Sequence, residues 1–138
     1  MTVGRVVHHH KVQFYETDLM GIVHHSNYLR FFEEARVAWC IHKGFTDTSD
    51  EAVYALTVHS TKVLHKKPLR YGDHFKIEVQ AKAVAARFIF QYKLTVNSEV
   101  CVLAETVHCS LNHELRPQRL PEVLLQTIKD EKWIETWL

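Results

Sequence analysis

The sequence predicts an α+β fold, with one long central helix wrapped by a curled five-stranded antiparallel sheet. Residues 27–43 repeat apolar side chains at steps of three and four, the pattern of a helix with one buried stripe. Residues 74–84 and 87–96 instead alternate apolar and polar side chains, the pattern of strands with one buried face. The strand-rich remainder leaves a single apolar sheet face to be covered, and the long helix is the available cover. The 138 residues include only four glycines and three prolines. No linker or repeat interrupts them, so residues 1–138 read as one domain.

Each element follows from its residues. Residues 6–16 read as a first strand, with Val6, His8, His10, Val12 and Phe14 on one face. The helix over 27–43 carries Tyr28, Phe31, Phe32, Ala35, Ala38, Trp39 and His42 on its apolar side. Ser26 or Asn27 is placed to cap its start, and Gly44 to end it. At 1.5 Å per residue it is about 25 Å long, which makes it central in so small a chain. A second strand is expected over 53–66. The turn RYGD then leads into 74–84, with Phe75, Ile77, Val79, Ala81 and Ala83 on one face. The strand over 87–96 turns at Asn97-Ser98-Glu99 into a last long strand over 100–112. Strands joined this closely are expected to form an antiparallel meander of four. The tail, opening at Pro121, reads as one or two short helices.

Composition narrows the function classes. A net charge of +1 gives no general reason to expect nucleic acid or a membrane surface as partner. The apolar runs fall well short of the ~20 residues of a membrane span, and MTVGRVVHHHKVQF lacks the apolar core of a secretory leader. Cys40, Cys101 and Cys109 are few and odd in number. Along one strand, Cys101 and Cys109 would stand roughly 26 Å apart, too far for a disulfide. Free thiols in a reducing cytoplasm are the expectation.

The chemically rich segment is FYETDLMGIVHHSNYLRFFEEAR, residues 14–36. Asp18 falls where the first strand ends, and the helix begins a few residues later. The first N–H groups of a helix lack internal partners and carry the positive end of its dipole. Facing a carbonyl oxygen, they form an oxyanion site, beside which a carboxylate can attack or activate water. Gly21 permits a tight turn or a close backbone approach. An aspartate before a helix also serves as a plain cap or turn residue, and the residues alone leave both readings open. GxSxG is absent, and Ser26 suits a helix cap better than a nucleophile. The clusters His8-His9-His10 and His24-His25 raise metal binding, but His8 and His10 face opposite to His9 in a strand, and no HExxH occurs. No metal and no cofactor is expected.

The run from Tyr15 to Arg36 closely resembles the signature of hotdog-fold acyl-CoA thioesterases of the 4-hydroxybenzoyl-CoA thioesterase and YbgC-like group. The matching positions are Tyr15, Glu16, Thr17, Asp18, Gly21, Ile22, Val23, His24, His25, Asn27, Tyr28, Phe31, Phe32, Glu34, Ala35 and Arg36. The resemblance implies the hotdog fold and hydrolysis of an acyl-CoA to free acid and coenzyme A. It implies Asp18 as the catalytic carboxylate, either nucleophile or general base. It implies His25 as the helix-start residue whose backbone N–H polarises the thioester carbonyl. Substrate-binding roles are expected for Tyr15 in the acyl pocket, for Gly21, and for Asn27 and Tyr28 at the helix start. Among Lys62, Lys66, Lys67, Arg70, Lys82 and Arg87, Arg87 is favoured for the phosphates of coenzyme A. The histidine pair leans towards aliphatic acyl groups. The resemblance further implies a cytoplasmic homodimer or homotetramer joined through an exposed sheet edge. A noncatalytic module that binds acyl groups or protein partners is the alternative. A hydratase would carry its Asp and His in another motif.

Overall fold

The computed structural model describes residues 5–45 and 56–138. Strand β1, Val6–Lys11, is followed by a 3-10 turn at Phe14–Glu16 and by helix α1, His25–His42. Four strands succeed it: β2, Thr57–His65; β3, His74–Val84; β4, Arg87–Val96; and β5, Glu99–Leu111. A two-residue strand β6, Pro117–Gln118, helix α2, Glu122–Thr127, and a 3-10 turn at Ile128–Asp130 complete the order. This is the hotdog arrangement of a curled antiparallel sheet around one long helix.

The interior follows the periodicities. From α1, Tyr28, Phe31, Phe32, Ala35, Trp39 and Cys40 are buried. They meet Phe75, Ile77, Val79 and Ala81 of β3 and Phe88, Phe90, Tyr92 and Leu94 of β4, all buried. Phe32 stacks on Tyr92 at 4.8 Å, and Trp39 meets Phe90 edge-on at 5.2 Å. Each such side chain, fully buried, stabilises the fold by about 1.5–3 kcal/mol. The stripe ends on Cys40; His42 is exposed. Among the described residues, no helix is long and apolar enough to cross a membrane.

Several expectations need correction. The first strand stops at Lys11 rather than residue 16, because the Glu16 carboxylate caps a 3-10 turn on the Gln13 N–H at 2.7 Å. Helix α1 begins at His25, two residues early. Its cap is His24, whose Nδ1 accepts from the Ser26 N–H at 3.2 Å. The expected strand over 53–66 is seen as β2 over Thr57–His65, while residues 53–55 lie outside the described residues.

The meander holds only for β3, β4 and β5. The sheet order is β1-β3-β4-β5-β2, which places β2 at the edge opposite β1. Residues 66–73 make the crossing past the start of α1. They are held by the Lys66 and Lys67 N–H groups on the Cys101 carbonyl and by the Val23 N–H on the Leu69 carbonyl at 2.8 Å. This link is a tethered crossover rather than a tight turn, so adjacency in sequence does not become adjacency in the sheet.

The outer sheet face also differs from a plain solvated surface. Gln80 and Gln91 are fully buried there beneath the last eight residues of the chain. Gln80 donates to the Glu135 carbonyl at 2.8 Å, and the Trp137 N–H donates to Gln91 at 2.8 Å. The Lys82 and Lys93 ammonium groups lie over the rings of Trp133 and Trp137 at 4.2 and 4.7 Å. The tail is therefore one short helix, α2, plus an extended strap.

Candidate active site

The loop between β1 and α1 is folded back on itself. Thr17 and Val23 form an antiparallel bridge, and the Asp18 N–H donates to the Ile22 carbonyl at 2.9 Å. The Asp18 carboxylate accepts from the Met20 N–H at 2.8 Å, and Gly21 takes the left-handed φ of 77° that closes the turn. Ile22 bridges to Arg70 of the crossing segment. Asp18 is thereby carried back beside the beginning of α1.

Glu16 fastens this loop to the helix. Its carbonyl accepts from the His24 N–H at 2.9 Å and from Asn27 Nδ2 at 2.8 Å. Its buried carboxylate faces His10 Nε2 at 2.9 Å. The His10 ring lies 4.9 Å from Phe31 and 5.2 Å from Phe75, so the anchor is seated in the core. Sequence reasoning gave Glu16 no role. Its place in the motif and its spacing from His10 across the strand end were the available signals.

Asp18, Ile22, Val23, His25, Tyr28 and His65 line one hollow of about 390 Å³, with Lys66 and Lys67 at its rim. His25 is the first residue of α1, so its N–H has no acceptor within the helix. Tyr28 is buried and meets the His65 ring edge-on at 4.9 Å. Burial raises the Tyr28 phenol above its ordinary value, and a hydrogen bond with the Leu69 backbone partly opposes this. Burial, then the neighbouring His25, lowers His65, which favours a neutral imidazole. His65 was not singled out in the sequence; a lone histidine at the end of an amphipathic strand carries no local signal.

The expected site residues do not all gather. Asp18, His25 and Tyr28 share the hollow. Gly21 shapes its loop, and Asn27 braces Glu16. Tyr15 stands 76 % exposed outside the lining. Arg87 pairs with Cys109 at the end of the sheet remote from Lys66 and Cys101, so within this chain it is far from Asp18. Lys66 and Lys67 are the cations beside the hollow, and Lys67 is paired with Glu99. His8 and His10 face Glu34 and Glu16, which gives two of the clustered histidines carboxylate partners.

Chemically, the hollow combines a carboxylate, a helix N-terminus and two lysines with an apolar wall of Ile22 and Val23. Such a set can polarise a carbonyl, deliver a nucleophile and attract an anionic leaving group. Comparison with known proteins points the same way. The family model of the thioesterase-like superfamily matches residues 12–128. A 1,4-dihydroxy-2-naphthoyl-CoA hydrolase of Synechococcus elongatus is 30 % identical over 118 residues, 82 % of this chain and 87 % of that protein. The Escherichia coli acyl-CoA thioester hydrolase YbgC is 26 % identical, over 86 % of this chain and 92 % of that protein. The crystal structure of a hypothetical protein from Aquifex aeolicus superposes with a TM-score of 0.81 at 33 % identity, covering 89 % of this chain and 98 % of that one.

Proposed function

The chain belongs to the thioesterase-like superfamily, and from that premise we propose that it hydrolyses an acyl-CoA thioester to the free acid and coenzyme A, with Asp18 as the catalytic carboxylate. The observation that carries this reading is the shared hollow, in which Asp18 lies with His25, the first residue of α1. The thioester carbonyl accepts from the His25 N–H, and the helix dipole stabilises the negative charge that grows on its oxygen. Asp18 then adds to the carbonyl carbon, or removes a proton from the water that does so. The tetrahedral intermediate collapses with cleavage of the C–S bond, releasing coenzyme A as thiolate. Addition by Asp18 gives a mixed anhydride that water opens; the base route gives the acid directly. A thiolate is a good leaving group, so one carboxylate and one oxyanion site are sufficient.

Lys66 and Lys67 are the residues for the negative charge of the coenzyme. Arg87 serves that role only from another subunit, given its distance within this chain. Tyr15, exposed on the same loop, is the residue for an acyl wall completed by a second copy. The chain is proposed to assemble at least as a homodimer. In β2 every residue but Val63 is exposed, an open edge of the kind that pairs with another strand. Phe14, Leu19 and Met20, between 75 % and 107 % exposed, form an apolar loop tip suited to burial against a partner. Aliphatic acyl groups are favoured through the His24-His25 pair.

The test is thiol release over a panel of acyl-CoAs, from short to long aliphatic with benzoyl and hydroxybenzoyl members. Turnover of at least one, falling by ~10² or more in Asp18→Asn, supports the assignment. Binding of the panel with no turnover by the wild type would instead make the chain a noncatalytic acyl-binding module.

A further inference from the structure

The outer face of the sheet carries a cationic hollow in which neither Asp18 nor α1 takes part. The strand register builds it. His9 on β1 lies opposite Lys76 on β3, and Lys76 lies opposite Thr95 on β4, which sets three side chains in one transverse row. Two residues along, Lys11 lies opposite His74. Directly opposed side chains stand about 5 Å apart on the same face, so His9, Lys76 and Thr95 share one space with His74 beside them, while Lys11 lines the adjoining hollow. The turn between β4 and β5 closes its end, with Asn97 and Ser98 in the left-handed region at φ 49° and 68°. His9, His74, Lys76, Thr95, Asn97 and Ser98 line a hollow of about 180 Å³.

Two independent observations mark this hollow as a receptor. The first is unbalanced charge. No carboxylate lines it, and among the described residues Lys76 forms no ion pair. The second is Thr95, only 6 % exposed, whose hydroxyl has no hydrogen-bond partner. β4 keeps unbroken register with β3 here, the extra residue at the β4–β5 irregularity being Cys101 of β5, so Thr95 faces the same side of the sheet as Lys76. A buried hydroxyl left without a partner is costly, so an acceptor that fills the hollow recovers its hydrogen bond. Lysine ammonium, threonine O–H and imidazole N–H are all donors, and they converge from three strands.

We propose that this hollow binds a phosphate group, with Thr95 Oγ–H donating from its floor, Lys76 supplying charge, and His9 and His74 donating from its sides. Lys11 leads directly into the loop that carries Asp18, so the hollow lies at the active-site end of the sheet. The phosphate therefore has two possible sources: the nucleotide end of a coenzyme A, or a free phosphate species that binds independently. The site does not depend on Asp18 having a catalytic role.

The experiment is an amide NMR titration with inorganic phosphate at constant ionic strength. Wild type, Thr95→Val and Lys76→Gln are compared. Saturable shifts are expected at His9, at His74 through Lys76 and at Thr95 through Ser98. Each substitution is expected to weaken binding about tenfold, the effect of one lost charge-assisted hydrogen bond. Thr95→Val keeps the strand's shape, and unmoved amides at Tyr92 and Leu94 report that each variant is folded. Shifts that rise linearly without saturating, or that survive both substitutions, would overturn the proposal. A second arm titrates coenzyme A and its 3′-dephospho form. If coenzyme A moves the same amides and Lys76→Gln weakens it, the phosphate is the coenzyme's. If only inorganic phosphate moves them, the site takes a free phosphate.

Discussion

Acid should destabilise this protein through one histidine. His108 is 2 % exposed and lies at the end of a hydrogen-bond chain beneath α1. The Arg36 guanidinium, which can only donate, gives a hydrogen bond to the Tyr92 hydroxyl at 3.2 Å. Tyr92 lies 2.6 Å from Thr106, and Thr106 lies 2.8 Å from His108 Nε2. The His108 ring also hydrogen-bonds the Leu56 backbone. The arrangement that gives every donor in this chain an acceptor has each hydroxyl pass its proton onward to His108 Nε2, which requires a neutral ring. Burial first, and the Arg36 charge second, lower the His108 pKa from 6.5 to about 4.

The sign follows from linkage. Between pH 6.5 and 4 the unfolded chain binds a proton that the folded chain refuses, so stability falls as the pH falls through this window. Above 6.5 both states are neutral and the contribution is fully present; below 4 both are charged and it is lost. Two and a half pH units at about 1.4 kcal/mol each give about 3 kcal/mol. That is a large part of the 5–15 kcal/mol typical of a folded domain. Urea denaturation of wild type and His108→Gln, at fixed protein concentration from pH 7.5 to 4, isolates the effect. The glutamine amide can replace both the donor to Leu56 and the acceptor for Thr106 without titrating. The wild type should lose about 3 kcal/mol relative to the variant across the window. Parallel curves would refute the reasoning.

The bracing of the Asp18 loop and the strap on the sheet give two further expectations. Glu16→Ala removes the acceptor that holds the Gln13 N–H and the partner of His10, and should cost about 2 kcal/mol in urea denaturation. It should also lower thioester turnover of the folded protein, because the carboxylate fixes the turn from which the residue 16 carbonyl reaches the start of α1; unchanged turnover would make the Glu16 side chain purely structural. Deleting residues 131–138 uncovers Gln80 and Gln91 and removes three hydrogen bonds between them and the strap backbone, three cation–π contacts and the Glu131 carboxylate that partners Trp39 and Lys43. A loss of about 3 kcal/mol is expected, and a truncated chain as stable as the full one would show that the strap contributes nothing.

Much of this architecture was legible where local periodicity dictates it. β3 and β4 begin and end at the residues their alternation marked, and the aromatic stripe of α1 is the buried one. What escaped was decided by contacts distant in sequence. The position of β2 beside β5 depends on how residues 66–73 cross the molecule, and no local pattern encodes a crossing. Gln80 and Gln91 alternate like solvated residues, yet the chain end covers them. The motif marked Asp18 and His25, which line one hollow, whereas Glu16, equally part of the motif, reveals its use only through His10 and Asn27. Arg87 looked suitable as a cation at the start of a strand beside the meander's edge, and the sheet register sets it at the far end.

The most direct measurement of the central claim separates binding from chemistry at Asp18. Wild type and Asp18→Asn would each be saturated with an acyl-CoA that the wild type turns over, and hydrolysis followed through a single turnover. The account predicts that the variant binds the thioester with similar affinity and leaves it intact while the wild type hydrolyses it, with rates differing by ~10² or more. Hydrolysis of the bound thioester by Asp18→Asn at the wild-type rate would contradict it.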